Sequence, residues 1–235
     1  MILLTSDIDW APEEAIQDML NLFERYEVNC TLFCTHESSV LKDCNRELFE
    51  LAIHPNFNPL LSGNSEKLPS EIMKELMKIY PEAQGVRSHS LTRSTHLLSI
   101  FKEHNMVYES NCYLPYSKVL VESKQWNGIY SVPHNWEDDF HFMYGKSYED
   151  LGLDYHNIPL AVFDFHPIHV FLNTHNHEHY ENAKKYYQDA GKLKDLQNTT
   201  LPGVRDALVS LLVDSKENDL PNMKMIEYVN SKQRF

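Results

Sequence analysis

Short apolar runs alternate with helix-patterned segments along most of this chain, and that alternation leaves few architectures open. Residues 2–4, 29–35, 48–53, 85–89, 106–108, 130–132 and 160–165 have the length and the β-branched or aromatic content of strands. Between them, Ile16, Met19, Leu20 and Phe23 repeat at helical spacing to about Tyr26, behind Pro12 and the acidic pair Glu13-Glu14 suited to a helix start. Helices are also predicted over 70–80, with Ser70 as cap, and over 92–105. The prolines and Ser-Gly-Asn of 55–69 predict a loop with at most one helical turn. The tail reads as a charged helix around 178–195, a second helix over 204–214 and a last strand at 223–228. Strands alternating with helices predict parallel β/α units joined by right-handed crossovers in one α/β domain.

The 235 residues suffice for one such domain, including a barrel of reduced size. A net charge of −13 with no basic stripe argues against a nucleic-acid partner. No apolar run approaches a membrane span, and the first strand leaves no room for a cleavable signal peptide. Cys30, Cys34, Cys44 and Cys112 form no C-x-x-C pair or disulfide framework, so reduced thiols and a cytoplasmic location are expected.

Polar residues cluster where these strands end: Asp7 and Asp9 after the first, His54 after the third, Arg87 and His89 after the fourth, His166 after the last of the seven. Ligands bind at the carboxyl ends of parallel strands, so these residues share one face of the molecule. Asp7 and Asp9 point to the same side of the chain and cannot both be ionised and dry without a counter-charge. A divalent metal is one solution; an acidic turn that caps the next helix is the other. Asp9 oxygen and His54 nitrogen suit Zn²⁺ if they converge.

Thr5-Ser6-Asp7-Ile8-Asp9-Trp10, the HPNFNP of 54–59, VRSHS of 86–90 and FDFHPIH of 163–169 together resemble the polysaccharide deacetylase (NodB-homology) family, most nearly its WbmS-type branch. The resemblance implies a distorted (β/α) barrel of about seven parallel strands and a metal-dependent hydrolase. It implies Asp7 as catalytic base, Asp9 and His54 as metal ligands, Arg87 as the arginine that holds the base, and His166 as general acid. The family's H-x-x-x-H-P has its second histidine at Asn58 here. Sliding the motif to make Glu50 the first histidine is opposed by geometry, since residues 50 and 54 of one strand lie about 13 Å apart. The third ligand is therefore open between Asn58, which also suits a helix start before Pro59, His89, and a water. Trp136 falls where the family has a tryptophan wall, although a core aromatic has the same sequence appearance. Trp10 and His169 are further candidates to contact substrate. The H-N-H-E-H of 175–179 opens a charged, solvated helix.

The implied reaction is removal of an N-acyl group, acetyl first, from an amino sugar that is free or nucleotide- or lipid-linked, in surface polysaccharide biosynthesis. Zn²⁺ is the expected cofactor, with Co²⁺, Fe²⁺ or Ni²⁺ compatible with the same donors. Two other functions share these features: hydrolysis of a small cyclic amide or ureide, and a non-catalytic saccharide-binding role suggested by the missing histidine.

Overall fold

A computed structural model describes residues 1–233. β1 (Ile2–Asp7) is buried on both faces, as a parallel strand covered from each side must be. It leads through α1 (Glu13–Tyr26) to β2 (Cys30–Cys34), and through the short α2 (Ser39–Asp43) to β3 (Phe49–Ile53). Next come α3 (Asn58–Leu61), α4 (Pro69–Ile79), β4 (Gly85–Val86), a 3-10 turn at His89–Leu91, α5 (Thr95–Glu103) and β5 (Tyr108–Glu109). The two-residue strands β6 (Ser123–Lys124), β7 (Tyr130–Ser131) and β8 (Trp136–Glu137) precede α6 (Asp138–Met143) and β9 (Ala161–Phe165). The remainder is helical: α7 (Pro167–Leu172), α8 (His177–Lys184), α9 (Ala190–Asp195), α10 (Val204–Glu217) and α11 (Met225–Lys232). No helix among the described residues is long and apolar enough to cross a membrane.

The strands form one sheet in the order β6-β7-β5-β4-β3-β2-β1-β9-β8, parallel except for β6. Its two margins are joined by a single stretch of chain. Tyr130 and Ser131 pair with β5, and Val132 N–H donates to the Glu109 carbonyl (2.9 Å). A few residues on, Asn135 N–H donates to Val162 (3.1 Å), and Trp136 and Glu137 pair with β9. β7 and β8 are thus two halves of one strand bent at Pro133, and the sheet curls into the expected distorted barrel. The nine strands exceed the expected seven because that strand is counted twice and β6 is a small antiparallel addition.

Alternation sorts the side chains of each strand. Ile2 and Leu4 pack outward under the helices, while Leu3, Phe33, Ala52, Tyr108 and Val162 fill the lower interior. α11 closes that end with Met225, Tyr228 and Val229. This helix replaces the expected strand at 223–228. Its buried residues recur at helical spacing, and Glu227 accepts from the Lys224 N–H at 3.1 Å to cap its start. The buried Glu50 carboxyl links plug to barrel, accepting from Tyr108 Oη (2.6 Å), Thr31 Oγ1 (2.8 Å) and the Ile226 N–H (2.9 Å). Glu50 is therefore at the opposite end of β3 from His54.

The predicted helix at 178–195 is two helices, broken over 185–189, where Tyr186 and Tyr187 turn back against the protein. Higher in the barrel the interior becomes polar, first Thr5, Arg87 and Asp164, then Asp7, His54 and His166 at the open end.

Gly85 is required by close approach, since a Cβ there would lie 2.0 Å from the buried Tyr108 ring. Gly85→Ala should cost about 2 kcal/mol or more, in the range of core overpacking, read as a lower midpoint in urea unfolding. An unchanged midpoint would mean that Tyr108 does not fill the barrel.

Candidate metal centre and active site

Three loops leave the open end of the barrel beside one another. After β1, Asp9 and Trp10 both adopt left-handed backbone conformations (φ 42° and 55°), which turns the Asp9 carboxylate back over the strand ends. His54 follows β3 directly, its N–H donating to the Cys34 carbonyl at 2.8 Å. His89 follows β4 and donates its N–H to Pro55 (3.0 Å).

Asp9 Oδ1 lies 3.2 Å from His54 Nε2 and 3.0 Å from His89 Nδ1, and the two nitrogens are 3.4 Å apart. Zinc–ligand bonds of about 2.0–2.1 Å imply tetrahedral edges of roughly 3.3–3.4 Å, so this triangle has the dimensions and donor types of three zinc ligands. Asn58 is not among them. It opens α3 and donates its side-chain amide to Ser90 Oγ at 2.9 Å.

The electrostatics suit a cation. Burial pushes the Asp9 carboxyl up, but hydrogen bonds to His54 and His89 outweigh it and hold the group well below the usual carboxylate range. Burial pushes His54 down, yet Asp7 and Asp9 leave it raised overall. Its buried Nδ1 has no hydrogen-bond partner, and Asp7 Oδ2 faces it at 3.6 Å.

Asp7 is held from below. Arg87, fully buried, donates through Nη1 to Asp7 Oδ1 at 2.9 Å and to Thr5 Oγ1 at 3.1 Å, and also to Asp164. Its Nε donates to the Ser110 carbonyl (3.1 Å), its Nη2 to Ser110 Oγ (3.0 Å), and its carbon lies 4.3 Å from the centre of the Phe33 ring. Asp164 was not a sequence candidate, although a lone acid between Phe163 and Phe165 was the available signal. Burial pushes its carboxyl up, Arg87 opposes that, Asp7 adds to it, and the result is about 7.

His166 stands across the opening, its Nε2 3.8 Å from Asp9 Oδ2. Asp138 holds it twice: Oδ1 lies 2.7 Å from His166 Nδ1, and Oδ2 accepts the His166 backbone N–H at 2.7 Å. Burial opposes the charged imidazole, but Asp138 dominates and raises His166 well above the ordinary histidine range. Asp138 was also missed; its signal was the run of three acids after Trp136.

The other candidates fall in different places. Trp136 is in the core, packed on Phe163, Phe165 and His141, with its indole N–H donating to Leu151 at 2.9 Å. β8 turns Glu137 toward the cavity, so its neighbour Trp136 must face away. Trp10 is at the mouth, 36% exposed, with its ring edge-on to His89 at 5.2 Å. His169 lies behind His166, buried against Tyr180 and 3.1 Å from Thr174 Oγ1. In the 175–179 run His177 and Glu178 are exposed, whereas His175 and His179 stack at 4.7 Å.

Asp7, Asp9, His54, His89 and His166 line a cavity of about 290 Å³, with Glu137 and Asp139 on its wall. A larger groove of about 640 Å³ lies beside α1 and α9, with Asp18 and Arg205 of its lining paired to each other. The smaller cavity gathers a carboxylate–imidazole triangle of metal-binding dimensions, a carboxylate with one pinned oxygen, and an imidazole paired with a buried acid.

Residues 4–184 match the family described as WbmS-like polysaccharide deacetylase. A Bordetella bronchiseptica structure, described as a polysaccharide deacetylase (WbmS) involved in O-antigen biosynthesis, is 36% identical over 90% of this chain and 89% of its own, with a TM-score of 0.84. Two more distant structures share the fold. A polysaccharide deacetylase from Mycobacterium smegmatis has a TM-score of 0.57 at 15% identity over 98% of this chain and 88% of its own. BA3943 of Bacillus anthracis, a pseudoenzyme of carbohydrate esterase family 4, has a TM-score of 0.50 at 12% identity, over 97% of this chain and 65% of its own. No curated protein matches the sequence. By its family match over most of its length and its likeness to the Bordetella protein over nearly all of it, the chain belongs to the WbmS-like polysaccharide deacetylases.

Proposed function

We propose that this chain is a zinc-dependent N-deacylase that removes an acetyl group from an amino sugar during surface polysaccharide biosynthesis. The observation that supports this most is the Asp9–His54–His89 triangle, flanked by Asp7 on one side and His166 on the other. His89 offers a nitrogen in place of the second histidine that the H-x-x-x-H-P motif has and this chain lacks, which favours the catalytic reading over a non-catalytic one. The Bordetella relative's role in O-antigen biosynthesis suggests the kind of pathway.

Zinc held by Asp9, His54 and His89 would supply Lewis acidity toward the acyl carbonyl and would acidify a bound water. The chain's own residues supply the proton transfers. Arg87 occupies Asp7 Oδ1, leaving Oδ2 to take a proton from the attacking water. As the carbon–oxygen bond forms and the carbon–nitrogen bond breaks, His166 Nε2 delivers its proton to the departing nitrogen. Asp138 keeps that proton on His166 at neutral pH. The products are a carboxylate and a free amine on the sugar. Trp10 at the mouth offers a flat apolar surface to a sugar ring.

Asp7→Asn should lower the rate of acetate release from an acetylated amino sugar by at least about a thousandfold while zinc content by elemental analysis stays at one per chain. Undiminished turnover would remove Asp7 as the base. His54→Ala and His89→Ala should lose the zinc and Asn58→Ala keep it; the reverse pattern for residues 58 and 89 would exchange their roles.

Asp138→Asn bears on pH. His166 must be protonated to act, and Asp138 raises its pKa, so active protein persists at higher pH than an ordinary histidine allows. With that charge removed, the alkaline limb of the pH–rate profile should move to lower pH. An unmoved limb would show that His166 is not the group titrating there.

A further inference from the structure

We propose that Tyr187 and Gln188 are positioning residues for the metal centre, holding the Asp9–Trp10 loop in the left-handed conformation that aims the Asp9 carboxylate. The proposal rests on Asp9 being a ligand, as argued above, and adds residues beyond position 184, where the family match ends.

The loop after β1 has little room. Between the last strand residue, Asp7, and the start of α1 at Glu13, the chain must reverse its course. It does so with Asp9 and Trp10 at φ 42° and 55°, a region that side chains other than glycine disfavour. Part of the loop's hydrogen bonding is met nearby: the Ala11 N–H donates to Ile8 within the loop at 2.9 Å, and the Trp10 N–H to Thr35 Oγ1, just past the neighbouring β2, at 3.0 Å.

The two carbonyls at the strained positions are taken by one dipeptide from far along the chain. Tyr187 Oη donates to the Asp9 carbonyl at 2.6 Å, and Gln188 Nε2 donates to the Trp10 carbonyl at 2.9 Å. An alternative backbone at Asp9 and Trp10 would redirect both carbonyls and forfeit both bonds.

The dipeptide is itself held in place. It occupies the break between α8 and α9, where one continuous helix was expected from the sequence. Asn176 caps α8 by accepting from the His179 N–H (2.8 Å), and Asp189 caps α9 by accepting from the Lys192 N–H (3.1 Å). The Asp189 N–H donates back to the Tyr186 carbonyl at 2.8 Å, closing a turn around Tyr187 and Gln188. Were 178–195 one straight helix, this turn would be lost. The break in the helix is what lets the far end of the chain reach the Asp9 loop.

The ligand triangle has edges of 3.0, 3.2 and 3.4 Å, so a shift of the Asp9 loop by an ångström would remove one of its three corners. Partners behind a ligand typically govern metal affinity by about 10- to 100-fold.

The test is zinc affinity of the purified full chain, measured by competition with a chromophoric chelator, together with the absorption spectrum of the Co²⁺-loaded protein. Tyr187→Phe removes only the hydroxyl and should weaken zinc binding about tenfold and alter the Co²⁺ spectrum. Gln188→Ala, a surface change that does not threaten the fold, should weaken binding a few-fold. Tyr186→Phe, next door, has its ring against Lys185 and Lys192 and should change neither readout. Melting curves of the metal-free proteins separate loss of fold from loss of affinity. Folded Tyr187→Phe and Gln188→Ala proteins with wild-type affinity and spectrum would overturn the proposal and leave the metal centre standing. A wild-type chain that takes up no zinc would overturn both.

Discussion

Arg87 carries a full charge in the middle of a barrel, where no solvent reaches it, and the upper half of the molecule is arranged around that fact. A buried guanidinium is tolerable only with its charge and its donors matched. Thr5 and Asp7 from β1, Asp164 from β9 and Ser110 beyond β5 supply the match, so one side chain ties three parts of the barrel wall together. Burial, with the neighbouring Asp7, pushes the Asp164 carboxyl up to about 7 against the pull of Arg87. The same arrangement pins one oxygen of Asp7 and leaves the other facing the cavity.

Above that layer the problem reverses. Two imidazole nitrogens and a carboxylate oxygen meet within 3.4 Å, an arrangement of lone pairs that needs protons or a cation between them. Asp138 sets the other side of the site, keeping His166 charged. Asp7 and His166, the base and the acid of the proposed reaction, stand on opposite flanks because they end different strands, β1 and β9, adjacent in the barrel wall with Asp9 over the gap. In β/α architecture strand order thus sets the spacing of side chains around a site.

Much of this was legible in the sequence, and the reasons differ by residue. Asp7, Asp9, His54 and His166 could be found because each follows an apolar run long enough to be read as a strand, and His89 because it leaves a much shorter one at Gly85-Val86; parallel strands deliver their ends to one face. Asp138 and Asp164 could not be ranked, since their value lies in contacts with His166 and Arg87 that no spacing reveals. For Trp136 the resemblance suggested a wall of the site and the residue type alone suited the core equally well; the core is where it lies, and in a two-residue strand next to a bend the facing of a side chain cannot be read beforehand. The helix at Met225–Lys232 was read as a strand because a short apolar run fits both periods. Closure of the barrel by residues 130–137 was hidden for a related reason, since each half of that bent strand is only two residues long.

The reading of this site stands or falls with one cation shared by Asp9, His54 and His89. Anomalous diffraction at the zinc edge from crystals of the metal-loaded protein tests it most directly. A single strong peak about 2.0–2.1 Å from Asp9 Oδ1, His54 Nε2 and His89 Nδ1 is expected. No peak between these three side chains, or a peak held instead by Glu137, Asp139 and His166, would contradict it.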